Sequence, residues 1–251
     1  SLRRITMNKI AIIIPSRLNA QRLPDKPLKL INNKEMILHV YEAAVSSEAG
    51  EVYVATPDQA IIDAVKKVKG NVIKTSNQHE TGTDRIFEIF KHTLNEEPDI
   101  IINLQGDMPN IQPSAISELV SYMKQDKCDI GTLASEFSSK DEIKNPNIVK
   151  VAVKEKLSEN IFSNSLDFFR TEQNFKGNLY HHIGIYGFTN KALMRYVALK
   201  RTKLELERKL EQLRALENNM LIHVGYVKDL PLSVDTEDDL IEIKKIMENK
   251  K

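Results

Sequence analysis

The chain alternates short apolar runs with amphipathic stretches almost from end to end. Ile10–Pro15 is a short apolar run rich in β-branched residues, as expected of a strand buried on both faces of a parallel sheet, and Pro15 ends it. Residues 35–46 carry apolar side chains at helical spacing, among them Met36, Leu38, Val40 and Ala43. Residues 51–56 alternate like a strand, and Pro57 is placed to open a helix at its first position. Val72 and Ile73 make a further short strand, and a helix opening at 81–85 continues through Ile86, Phe87, Ile89 and Phe90. Residues 99–104 form the most strand-like segment, followed by a helix over 113–124 and strands over 129–134 and 148–153, with Asn145-Pro146-Asn147 as the turn between these two.

The same logic predicts a short strand at 160–163, a strand over 180–188, one helix over 204–218, a last strand over 221–227 and a final helix after Val234. The long helix is expected to bury Leu206, Leu210, Leu213 and Leu216, with Glu207, Glu211 and Arg214 on a solvated face joined by i,i+3 and i,i+4 pairs. Ile241, Ile243 and Ile246 are among the apolar positions of the final helix. Strands alternating with helices indicate βαβ units and a parallel sheet. No internal repeat, low-complexity tract or linker interrupts the pattern, so residues 7–251 read as one domain. Ser1–Thr6 precede Met7 and read as a cloning remnant or an alternative start.

Composition narrows the function classes. A hydrophobic content of 41% supports a sizeable core, and 28% charged residues suit a soluble surface. The net charge of +1 gives no global case for nucleic acid or an anionic membrane, so anion binding has to be local. Cys128 is the only cysteine, which excludes an intrachain disulfide and a CxxC metal site; it reads as a buried thiol. No apolar run approaches a membrane span and the N-terminus lacks a signal-like core, so the expected compartment is the cytoplasm.

Candidate chemistry begins in the loop after Pro15. Arg17, Arg22 and Lys26 stand there with only Asp25 to balance them, and Pro24 and Pro27 stiffen the segment. A basic loop at the C-terminal end of a first strand is where open α/β sheets hold phosphorylated ligands, although a merely solvated loop would look the same. Neither GxGxxG nor GxxxxGK[ST] occurs, so side-chain cations and loop amides must hold any phosphates. Thr81-Gly82-Thr83-Asp84-Arg85 reads either as a simple helix start or as a helix N-terminus facing an anion, with Arg85 as a fork donor. Gln105-Gly106-Asp107 follows the buried strand, and a carboxylate there suits a hard cation or an ordinary turn. Of the adjacent His181 and His182, alternation predicts one facing the core and one exposed. Thr236 with Asp239 resembles a capping box, which leaves Asp235 unexplained.

Taken in order, these segments resemble the sugar-acid cytidylyltransferases, specifically the family that activates 3-deoxy-manno-octulosonate (Kdo). The resemblance rests on Pro15-Ser16-Arg17, Arg22 to Leu28, Thr81 to Arg85, Gln105-Gly106-Asp107, His182 to Phe188, Leu210 to Arg214 and Val234 to Leu240. It implies a three-layer α/β nucleotidyltransferase fold with a mostly parallel mixed sheet and a small sugar-binding, dimer-forming extension. It also implies the reaction of CTP with Kdo to give CMP-Kdo and diphosphate, toward lipopolysaccharide, by a cytoplasmic homodimer. On this match Pro15, Ser16, Arg17, Lys26, Gly82, Thr83, Arg85 and Gln105 bind the nucleotide, and Arg22, His182, Tyr186, Glu211 and Gln212 contact the sugar acid. Asp107 and Asp235 hold Mg²⁺, and with Arg17 and Lys26 they form the catalytic set. The family usually has Gly at Asp25, often Glu at Met108, and commonly Arg at Asn164. A sialic-acid cytidylyltransferase or an inactive nucleotide-sugar binding protein would share part of the pattern.

Overall fold

A computed structural model of the chain describes residues 8–18, 22–171, 174–175 and 177–249. The extension read at Ser1–Thr6 lies outside the described residues. Strand β1 (Ile10–Pro15) leads through a single 3₁₀ turn at Lys26–Leu28 into a two-residue hairpin, β2 (Leu30–Ile31) and β3 (Lys34–Glu35), and then helix α1 (Met36–Ser46). Next come β4 (Glu51–Thr56), α2 (Gln59–Lys67), β5 (Val72–Lys74), α3 (Gly82–Glu88) with a π-helical end, β6 (Ile100–Leu104) and α4 (Pro113–Met123). The second half runs β7 (Ile130–Ser135), α5 (Lys140–Lys144), β8 (Lys150–Val153), β9 (Ser163–Phe169), β10 (Asn178–Thr189), α6 (Asn190–Ala198), α7 (Lys203–Arg208), α8 (Gln212–Glu217), β11 (Ile222–Tyr226) and α9 (Glu237–Glu248).

Nine strands form one sheet in the order β5-β4-β1-β6-β10-β7-β11-β9-β8. The β5-β4-β1-β6 half is wholly parallel, as the apolar runs predict. Strand β10 runs antiparallel between β6 and β7, and its first residues also pair with β8. The carboxyl ends of β1, β4 and β6 therefore open on one edge, where ligands of such sheets bind.

Apolar side chains cover both faces of the sheet. One core gathers Ile12, Ile14, Ile102 and Leu133 against α1, α2 and α4. The other gathers Ile13, Ile101, Phe168 and Val224 against α3, α6 and α8. A third cluster of Leu23, Ile31, Met36, Val234, Leu240 and Ile243 ties α9 to the basic loop and the hairpin. Cys128 is buried with its Sγ 3.8 Å from Met123 Sδ, and burial pushes the thiol up to about 12.

Four expectations are corrected. The helix read over 204–218 is two helices, because Lys209 adopts the left-handed conformation (φ 55°) and stops α7. As a result Leu206 is exposed, and Arg214, expected in solvent, is buried. Pro57 does not open its helix, which starts at Gln59 after Asp58 at the N-cap. Residues 160–163 are not a strand: Asn160 has φ 63°, Ile161 makes a lone bridge to Ser158, and β9 starts at Ser163. Of the three isoleucines read as apolar positions of α9 only Ile243 is buried, beside Leu240; Ile241 and Ile246 face solvent.

Candidate active site

The loop after β1 is held from behind. Ser16 N donates to Ala55 O at 2.9 Å, and Leu18 N donates to Asp58 Oδ2 at 2.8 Å. The turn into the 3₁₀ segment requires a left-handed residue, and Asp25 occupies that position with φ 55° and ψ 28°. This explains why glycine suits the place: only a residue without a Cβ adopts the conformation freely, and Asp and Asn come next. The turn brings Lys26 back over the end of β6.

There the Lys26 ammonium lies 3.7 Å from Asp107 Oδ2 and 3.5 Å from Asp235 Oδ1. The two loops are joined directly, since Val234 N donates to Asp107 O at 2.9 Å. Thr236 and Asp239 form the expected capping box, and Asp239 Oδ2 also accepts from Asp235 N at 3.0 Å. Asp235 is thus fixed by its backbone while its carboxylate stays free to face Lys26. Burial pushes the Asp107 carboxyl up to about 6 against the pull of Lys26, and the Asp235 charge adds to the rise. One ammonium therefore offsets two carboxylates incompletely.

The opposite wall is the start of α3. Thr81 Oγ1 caps the helix by accepting from Asp84 N at 3.1 Å. Gly82 comes so close to β1 that a Cβ there would stand 3.2 Å from Pro15 Cγ. Arg85 is buried and donates through Nη1 to Thr75 Oγ1 and to Ser76 O, the latter at 2.7 Å. That nitrogen braces the loop of residues 75–81. Burial lowers the Arg85 pKa, and the nearby Arg17 charge lowers it further, so two guanidiniums face one space. Glu88 Oε1 accepts from His79 Nε2 at 2.9 Å and Ser76 N at 3.1 Å. These bonds hold the carboxyl below the usual range against its burial.

Between the walls lies a cleft of about 320 Å³ lined by Pro15, Ser16, Arg17, Lys26, Gly82, Arg85, Gln105 and Asp107, together with Pro27, His79, Glu80, Thr81 and Gly106. The sequence thus placed eight of its candidates in one cavity. Thr83 is buried beneath it, 3.3 Å from Asn103 Nδ2, and Arg22 and Asp235 stand outside its lining. Met108, which stands where the resembled family often has Glu, packs in the core.

Of the candidates for the sugar side, His182, Tyr186, Glu211 and Gln212 lie on the α3–α6–α8 face, next to the Thr81–Thr83 wall of the cleft. Strand β10 shifts register against β7 between Ile183 and Tyr186. The His182 and Tyr186 rings lie 5.4 Å apart, and Phe168 meets the imidazole edge-on at 5.3 Å. Thr132 Oγ1 donates to Ile185 O at 2.6 Å, so His182 Nε2 donates to that hydroxyl at 2.9 Å. Burial lowers the His182 pKa to about 3 and keeps the ring neutral. His181 is half-buried beside Glu142, not exposed as alternation suggested. Glu211 and Gln212 open α8; burial raises the Glu211 carboxyl against the nearby Thr83, Tyr196 and Thr81 side chains and Arg214. Asn164 pairs with His223 across β9 and β11, its Oδ1 buried without a partner.

Asp58, His79 and Glu88 were not singled out by sequence. Asp58 follows a strand and precedes a helix, a pattern shared by many caps, and its partner at Leu18 is visible only after folding.

The arrangement can hold a polyanion between fixed cations with a carboxylate pair at one end. Residues 11–222 match the model of a family described as cytidylyltransferase. A 3-deoxy-manno-octulosonate cytidylyltransferase of Bartonella quintana is 43% identical over 241 residues, covering 95% of this chain and 98% of that protein. The enzyme of the same name from Rickettsia felis is 41% identical, covering 96% of each. A solved CMP:2-keto-3-deoxy-manno-octonic acid synthetase complexed with CTP superposes with a TM-score of 0.87 at 34% identity, over 97% of this chain and all of that one. A glucose-1-phosphate thymidylyltransferase from Bacillus anthracis, described as putative in that structure, shares the fold at 13% identity and a TM-score of 0.69.

Proposed function

The chain belongs to the cytidylyltransferase family, and we propose that it transfers the cytidylyl group of CTP to Kdo, giving CMP-Kdo and diphosphate. The observation that carries this reading is the single cleft that joins Pro15-Ser16-Arg17, Lys26, the α3 N-terminus and Gln105-Gly106-Asp107. Its match over nearly the full chain to a relative solved with CTP supports the nucleotide assignment.

The anomeric oxygen of the sugar acid attacks the α-phosphorus as the bond to the diphosphate oxygen breaks. Nucleophile and electrophile both carry negative charge nearby, so the protein's task is charge placement and alignment. Arg17 and Lys26 stabilise the triphosphate and the departing diphosphate; Arg85 fixes the wall against which the nucleotide lies. Tyr186, Glu211, Gln212, His182 and Arg22 orient the sugar acid. No step requires a Ser or Cys nucleophile.

Mg²⁺ fits the acidic end. Asp107 and Asp235 converge on one point, their charge is under-compensated, and Mg²⁺ takes one or two protein carboxylates beside phosphate and water. Among the described residues no group of three or more His, Cys, Asp or Glu forms a closed metal site, so the remaining positions fall to substrates. When bound, the ion supplies charge neutralisation at the phosphates and acidifies an attacking hydroxyl.

The reading extends to a homodimer acting in the cytoplasm toward lipopolysaccharide, with residues 7–251 as one domain. Among the described residues no helix is long and apolar enough to cross a membrane. Diphosphate release with CTP, UTP and ATP, each with Kdo or sialic acid and with or without Mg²⁺, tests the assignment. CTP with Kdo and Mg²⁺ is expected to dominate; equal turnover with ATP overturns the nucleotide reading, and preference for sialic acid overturns the sugar.

A further inference from the structure

Helical spacing pairs Glu211 with Arg214, three residues on along one helix. The structure pairs them otherwise. The left-handed Lys209 turns the chain back, and Arg214 meets α7 instead of its own helix neighbour. Arg214 Nε and Nη2 donate to Glu205 Oε1 and Oε2 at 2.9 and 2.6 Å. Both side chains are almost wholly buried, at 4% and 5% exposure. The guanidinium carbon lies 4.5 Å from the centre of the Tyr196 ring, whose hydroxyl donates to Glu211 O at 3.0 Å. Glu211 Oε1, by contrast, is buried and has no hydrogen-bond partner.

A buried, unpaired carboxylate oxygen within one helical turn of a guanidinium is an unstable arrangement unless the cation is otherwise engaged. We infer that Glu205 is a positioning residue: by occupying the Arg214 fork it keeps that guanidinium off Glu211 and leaves the unpartnered Glu211 Oε1 open to a hydroxyl donor of the sugar acid. The inference rests on the assignment of Glu211 to the sugar side. The alternative role for the pair is mechanical glue, but buried ion pairs are often no more stabilising than apolar replacements of similar size. The capping box that Glu205 makes with Thr202 would by itself ask for no second, buried partner.

Steady-state kinetics at saturating CTP separates the two roles. Glu205→Gln releases Arg214, so the KM for Kdo is expected to rise about tenfold, the loss of one hydrogen bond to a charged group, with CTP affinity by calorimetry unchanged. Adding Arg214→Gln removes the capturing cation and is expected to bring KM back within about threefold of wild type. A double variant as impaired as Glu205→Gln, or worse, overturns the inference in favour of glue. Should Glu205→Gln fail to fold, Glu205→Met/Arg214→Met replaces the pair by apolar chains; a KM near wild type supports the inference and a tenfold rise overturns it. Glu211→Gln is measured alongside: if it leaves the Kdo KM unchanged, the sugar assignment itself fails, whatever the pair does.

Discussion

Asp107 and Asp235, from opposite halves of the chain, converge on the same Lys26 ammonium at 3.7 and 3.5 Å. Neither carboxylate has a basic sequence neighbour on either side, so the cation that joins them comes from the loop after β1. The meeting is set by backbone, through Val234 N on Asp107 O and the capping box of α9. Lys26 is thereby the counter-charge that keeps the acidic end assembled before substrates arrive.

Asp107→Asn or Asp235→Asn is expected to lower turnover at least a hundredfold while leaving the melting temperature equal or higher. Each change relieves one of two like charges that a single ammonium offsets. Full activity in either variant would remove the pair from the mechanism. Lys26→Met should instead lower the melting temperature, and added Mg²⁺ should restore more of it than in wild type, because only the variant lacks a cation between the carboxylates. A melting temperature indifferent to Mg²⁺ in both proteins would contradict a metal site here.

Asp25 carries the left-handed turn that aims Lys26. Asp25→Gly is expected to change stability by less than about 1 kcal/mol, relief of the strained backbone offsetting the gain in unfolded-state freedom. Asp25→Val should cost about 1–2 kcal/mol and raise the KM for CTP, since a β-branched residue resists positive φ. Urea midpoints of the two variants check this; equal midpoints would mean the turn does not constrain the loop.

Tyr186→Phe and Gln212→Ala address the sugar side. Each removes a polar group on the face opposite α1, and each should raise the KM for Kdo by a factor set by about 0.5–1.5 kcal/mol. Calorimetric affinity for CTP should stay within experimental error. A parallel fall in CTP affinity would move these residues to the nucleotide.

His182 links pH to stability. Burial lowers its folded pKa to about 3, below the unfolded value near 6.5, so the unfolded chain binds the extra proton between those limits. The stabilisation is complete above the unfolded pKa and is lost as pH falls from there toward the folded one. The slope from this residue approaches about 1.4 kcal/mol per pH unit. His182→Gln should flatten unfolding free energy against pH between about 6 and 4; an unchanged slope would assign acid sensitivity elsewhere.

The parallel half of the sheet was legible because β1 is a continuous apolar run and β4 alternates like a strand, and both fall on the predicted residues. The cleft was legible for a different reason, since each of its walls is a short contiguous motif and order along the chain carries the information. What escaped was long-range. The break at Lys209 follows from no local breaker, because lysine is a good helix former. It is stabilised by Arg214 reaching back to Glu205 and by the Arg170 guanidinium near Lys209 O, contacts that periodicity cannot see. Asp58 was missed likewise, its partner lying in another loop.

The apolar seat of the basic loop has a consequence for how the enzyme comes into being. Leu23 and Met36 emerge early in synthesis, yet they pack against Val234, Leu240 and Ile243 of the last helix. A nascent chain can therefore lay down β1, β4, β5 and β6 while the loop after β1 still lacks its seat on α9. Ribosome-bound chains released stepwise toward residue 249 should acquire protease resistance in the sheet before they can retain CTP. Timing of translation, and any cut made just ahead of α9, would separate a folded scaffold from a working site.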